Sequence, residues 1–204
     1  GGINRDVNII QLFYNLFNNI YNVAFSKKNH VQSVVLDLKF KQFKKLEESR
    51  KRALTEGYIY HGHPKIKGNI KFPEGKAKVK LRIKGYHLDH LATNKWSFKI
   101  EVKDNSFSGM KKFSIQAPFT KDFQSAPIIQ ETMRTKGILA PRDGFLDLTI
   151  NGKNLGLMYF IEDLNEQFTE VSNLPYGPIF KYDEKTELIS FENNKKFWEN
   201  DSTQ

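Results

Sequence analysis

The reading of the fold turns on Val79-Lys80-Leu81-Arg82-Ile83-Lys84-Gly85 and, ten residues on, Lys95-Trp96-Ser97-Phe98-Lys99-Ile100-Glu101-Val102. Both stretches alternate with a period of two. Val79, Leu81 and Ile83 point one way, and Lys80, Arg82 and Lys84 the other. Trp96, Phe98, Ile100 and Val102 repeat the pattern against Ser97, Lys99 and Glu101. Alternation this clean predicts antiparallel strands with one face on a core, so cations collect on the opposite face.

The flanks extend the pattern. Lys65 to Phe72 alternates, with Ile66, Ile70 and Phe72 on one side, and Pro73-Glu74-Gly75-Lys76 reads as a turn. Upstream, Val34 to Phe40 reads as a strand with Val34, Leu36, Leu38 and Phe40 on one face. Lys41 to Glu56 is rich in helix formers and closed by Gly57, so it predicts a helix; its Lys44, Lys45, Arg50, Lys51 and Arg52 are expected in solvent. Ile3, Val7, Ile10, Phe13, Phe17, Ile20 and Ala24 recur at three and four, predicting an amphipathic N-terminal helix. Downstream, Phe113 to Ile115 is a short strand, and Lys121 to Lys136 holds a helix that admits Pro127 only near its start. Phe145–Ile150 and Leu155–Ile161 flank Asn151-Gly152, a strong hairpin signal. The predicted class is α+β, a mainly antiparallel sheet with one or two packed helices behind an amphipathic helix. The expected divisions are 1–56, 57–182 and an acidic stretch 183–204 that reads as a tail or the start of a further lobe.

Composition sets bounds. With 204 residues, 39% hydrophobic content and 17 Phe, a substantial core is available and a disordered chain is excluded. No apolar run reaches the length of a membrane helix. The absence of cysteine excludes disulfides and thiolate metal sites. The net charge of +9 is uneven: residues 65–84 carry eight Lys or Arg against one Glu, whereas from Glu162 onward ten acids face four bases. The basic part points to phosphate-bearing partners, with a merely solvated face as the competing reading. Gly1-Gly2 reads as a cloning remnant, so a leader is expected to have been lost.

Taken together, these pieces resemble the kinase-like family of the spore coat protein H type. The resemblance is carried by Val79 to Gly85, Leu88-Asp89-His90-Leu91, Lys95 to Ile100, Gly109-Met110-Lys111-Lys112-Phe113-Ser114-Ile115 and Gly137-Ile138-Leu139-Ala140. It continues through Leu148 to Gly156, Tyr159 with Glu162-Asp163, and Gly177-Pro178-Ile179-Phe180-Lys181. It implies a sheet like a protein-kinase small lobe that helps bind ATP with Mg. It also implies a protein substrate, and catalytic and metal-binding acids in a second lobe or partner chain. No segment here resembles those acids, so the resemblance implies no catalytic or metal residue within the chain, and a fragment or truncated relative. The residues leave organism and localisation unknown, and only the resemblance suggests a bacterial source and allows a cell-envelope or exported setting.

The resemblance makes Lys99 the first candidate for contacting nucleotide phosphate, with small Ser97 expected to leave room beside it. Arg82 and Lys84 follow on the neighbouring strand. Glu131 lies on the predicted helix and is the candidate partner of the lysine, although relatives place their acid nearer the helix start, where this chain has Ala126-Pro127. Glu162 stands at the expected adenine edge and Lys181 is a further ligand contact. The competing reading of each is an ordinary surface or core residue. His87, Asp89 and His90 favour fastening a loop over holding a metal. The alternative function is a non-catalytic basic binding or scaffold module for an anionic partner. A nucleic-acid partner is the weaker form of it, since no groove-reading or single-strand motif appears.

Overall fold

The structure is a computed structural model that describes residues 31–59, 63–85, 87–91, 93–174, 177, 179–183 and 188–192, the last two segments by their backbone. The chain divides between Val31 and Gln32, and the fold is that of the second unit. The helix expected over residues 3–25 lies outside the described residues.

Seven strands form a closed barrel: β1 (Gln32–Asp37), β2 (Ile66–Phe72), β3 (Gly75–Ile83), β4 (Phe98–Val102), β5 (Lys112–Gln116), β6 (Asp143–Ile150) and β7 (Lys153–Glu162). Their order is β1-β2-β3-β4-β5-β7-β6. Among the described residues three α-helices accompany them: α1 (Phe40–Glu56), α2 (Ser125–Thr135) and α3 (Glu166–Val171). A separate hairpin joins β8 (Ile179–Asp183) to β9 (Leu188–Glu192).

The closure corrects the expected fold. An antiparallel kinase-type sheet with packed helices does not form. Instead β1 pairs parallel to β6, from Gln32 opposite Leu146 to Leu36 opposite Ile150, and makes the barrel mixed. The reason is burial. Val34 and Leu36 are wholly buried, and β1 meets β2 on one side and β6 on the other, so neither edge is left open. The β6–β7 turn fastens the seam. Asn151 N–H donates to Leu36 O (3.0 Å), and Leu38 N–H donates to Asn151 Oδ1 (2.7 Å). Asn151 and Gly152 both take positive φ, the backbone of a tight hairpin turn.

The inward faces are those the alternation predicts. Val79, Leu81, Ile83, Phe98, Ile100 and Val102 are buried with Ile66, Ile70, Leu146 and Leu148. Each such side chain contributes about 1.5–3 kcal/mol. Phe107 closes the core against Phe72, Phe113 and Phe160, with ring centroids 5.1–5.6 Å away. The helices add little: α1 buries Leu46, Ser49 and Ala53, and α2 buries no residue. Phe40 begins α1 and is exposed rather than ending a strand.

Candidate functional site

The strand register assembles the site on the outer barrel face. Arg82 stands opposite Lys99, Lys99 opposite Ser114, and Ser114 opposite Ile161. Beside this row Lys80 faces Glu101, which faces Lys112. Lys65, Lys80, Arg82, Lys99 and Lys112, with Glu101 and Asp163, line a groove of about 290 Å³. Five cations against two carboxylates leave it electropositive. Lys99 Nζ lies 2.8 Å from Asp163 Oδ2, and Glu101 is held by Lys103. Asp163 is fixed by its main chain, whose N–H donates to Lys112 O (3.0 Å).

Lys84 sits deeper, where Nζ donates to Gln116 Oε1 (3.1 Å). Gln116 is fully buried, and its Nε2 has no partner among the described residues. Burial holds the Lys84 ammonium down to about 8. Lys121, Lys99 and Arg82 push the same way, and Asp163 opposes them. The result is a cation whose charge is costly until an anion approaches.

The loop after β3 is built around His90. Its Nδ1 lies 2.8 Å from Ser97 Oγ, and Ser97 N–H donates to His90 O (3.0 Å). Burial, with Lys84 and Lys121 nearby, lowers the His90 pKa against the pull of Asp89. Gly85 is required beneath the ring, since a Cβ there would lie 2.1 Å from His90 Cδ2. The room expected beside Lys99 from small Ser97 is therefore taken by His90. Arg50, expected in solvent, instead clamps the loop from α1. It donates to Leu91 O from Nε (3.2 Å) and Nη2 (2.9 Å), and lies 5.2 Å from the centre of the Trp96 ring.

Of the residues singled out from the sequence, Arg82, Lys84 and Lys99 come together. Glu131 does not join them: it is exposed on α2 and paired with Arg134 (3.0 Å). Arg134 reaches on to Asp143 (2.9 Å), which accepts from the Tyr159 hydroxyl (2.8 Å). Burial and Asp143 raise the Tyr159 pKa. Glu162 lies on the inner side of β7, buried and gripped by Arg142, whose Nε donates to Oε2 at 2.8 Å. The Lys181 side chain lies outside the described ones. Sequence reasoning missed Gln116 and the pairing of Asp163 with Lys99. Both depend on β5 lying between β4 and β7, an order that local periodicity does not encode.

Among the described residues no three His, Asp or Glu gather to hold a metal ion, and no helix is long and apolar enough to cross a membrane. The groove is lined by strand lysines and an arginine and carries an excess of positive charge. A family model described as CotH kinase protein matches residues 81–204, from mid-β3 onward. The chain therefore belongs to the CotH kinase family, and its function is kinase-related. No curated protein matches the chain by sequence.

Proposed function

We propose that this chain supplies the nucleotide-phosphate-binding face of a CotH-family kinase, with the β3–β5 groove taking the charged tail of ATP. The observation that carries the reading is the convergence of Arg82, Lys84 and Lys99 from the paired strands β3 and β4, with Lys84 reaching Gln116 on β5. Phosphoryl transfer is mainly positioning and charge stabilisation, so fixed cations at the phosphates are the first requirement. The donors fit a polyphosphate: three cations converge, and Gln116 Nε2 is a buried donor awaiting an acceptor.

ATP, when bound, supplies the phosphoryl group to be transferred. Arg82 and Lys99 would hold its outer oxygens, and Lys84 would gain the counter-charge that its burial denies it. For Mg²⁺ the groove offers Asp163 and Glu101, both engaged by lysines. The ion would thus be held chiefly by the phosphates, as is usual for magnesium. With its carboxylate taken by Arg142, Glu162 would serve an adenine edge only through its main chain. The reading assigns the transfer step itself to residues beyond this face.

Calorimetric titration of MgATP into the whole chain tests it. Arg82→Ala, Lys84→Met and Lys99→Ala should each weaken binding about tenfold, the scale of one charge-assisted contact. No binding, or equal affinity in all four proteins, overturns the reading.

A further inference from the structure

From Lys65 to Lys80 the chain carries six lysines and one acid, Glu74 at the turn. The β2–β3 hairpin sets five of them on one outward face. Lys67 stands opposite Lys80, Lys71 opposite Lys76, and Lys78 opposite Asn69. Lys67, Lys71, Lys76 and Lys78 are exposed and Lys80 is half-buried. Like charges directly opposite each other weaken an antiparallel pair, and this hairpin carries two such rungs. Among the described residues none of the five enters an ion pair. Asp104 Oδ1 is spent on the Lys78 main-chain N–H (2.7 Å). Nor do these lysines guard an open edge, because β2 and β3 are interior strands of a closed barrel. The repulsion is built in, and an anionic partner relieves it.

We infer that this hairpin face is a docking strip for a linear, base-free polyanion, a chain of repeating phosphates. The strip is narrow: two strands lie about 4.8 Å apart, with like-facing lysines about 6.8 Å apart along β3 and about twice that along β2. That shape follows a chain rather than a bilayer, which a curved barrel would meet along a line. Lysine supplies mobile point charges suited to phosphates, without the planar fork that arginine adds. The strip presents no aromatic side chain on which bases stack, and no exposed large apolar one to enter a membrane. A concavity of about 570 Å³, lined by Lys71, Lys76 and Lys78 with Asp37, Asn69 and Asp104, gives the chain a seat near the turn. The strip adjoins the nucleotide groove only at Lys80, and it stands whether or not that groove takes ATP.

The test titrates inorganic polyphosphate against the whole chain at several salt concentrations. The combined Lys67→Gln, Lys76→Gln and Lys78→Gln protein should bind about tenfold more weakly or worse, with a log-affinity against log-salt slope shallower by about two. All three positions are exposed, so its melting temperature should not fall. With excess MgATP present to occupy the groove, polyphosphate should still bind, and the triple substitution should still weaken it. The inference is overturned if the triple substitution has no effect or if MgATP displaces the polymer. Tighter binding to single-stranded DNA of equal charge, or to anionic vesicles, also overturns it.

Discussion

Lys99 and Asp163 meet across an intervening strand. Lys99 is on β4 and Asp163 follows β7, yet Nζ and Oδ2 are 2.8 Å apart over β5. The pair is partly exposed, at 33% and 20% of side-chain surface, so it contributes at most about 1 kcal/mol to stability. Its larger effect is to hold the lysine head over the groove and offset part of its charge. Asp163→Asn should bind Mg-free ATP several-fold more tightly with little change in melting temperature. Weaker binding on titration would show that Asp163 positions Lys99 rather than restraining it.

Lys84 sets function against stability. Its folded pKa, near 8, lies below its ordinary 10.5, so the unfolded chain holds this proton more tightly. The charge therefore costs the folded state below about pH 8, and the cost fades as pH rises from about 8 to 10.5. Lys84→Met should stabilise the protein by roughly 1–3 kcal/mol near pH 7 and by much less above pH 10.5. Thermal melts across that range read the difference. A constant gap would mean the buried charge is not its source.

Gly85 takes φ of +109° directly beneath the His90 ring. Gly85→Ala should lose about 2 kcal/mol or more from the clash together with the strained backbone. Adding His90→Ala should return the steric part and leave about 1 kcal/mol. Chemical denaturation of the single and double variants checks this, and no recovery in the double variant would place the strain elsewhere.

Arg142 is the counter-charge of a carboxylate that is only 2% exposed. Arg142→Met should destabilise the barrel by about 3 kcal/mol, because Glu162 is left charged and buried. Arg142 also donates to Ser108 O (2.9 Å), so the Phe107–Met110 turn should lose hydrogen-exchange protection in the same variant. Glu162→Gln, which keeps shape and hydrogen bonding, should cost less.

Arg50 reaches the groove loop from α1, the helix that buries Leu46, Ser49 and Ala53. Arg50→Ala should speed amide exchange across Leu88–Leu91 while leaving β2 and β3 protected. Equal exchange in both proteins would remove the clamp from the account.

The strands could be read from the chain because Val79, Leu81 and Ile83 against Lys80, Arg82 and Lys84 leave only one way to bury a face. The end of α1 was legible in Gly57, which takes φ of +80°. Partners were not. Alternation in Val34 and Leu36 says which side is buried, not that β1 runs parallel to β6. For the same reason Arg82 and Lys99 were recognisable as neighbours, joined by one loop, whereas the reach of Lys99 to Asp163 was not. Arg50 looked like a solvent cation because its target, the carbonyl of Leu91, is main chain and leaves no sequence signature.

The seam between Gln32–Asp37 and Leu146–Ile150 bears on how the protein can be divided. The stretch shared with the family begins at Leu81, inside β3, downstream of two staves that complete the cylinder. Excising the chain there would strip β6 of its parallel companion and bare the flank of β4, creating two sticky rims. Such a piece should precipitate or self-associate, whereas one starting at Gln32 retains every described stave.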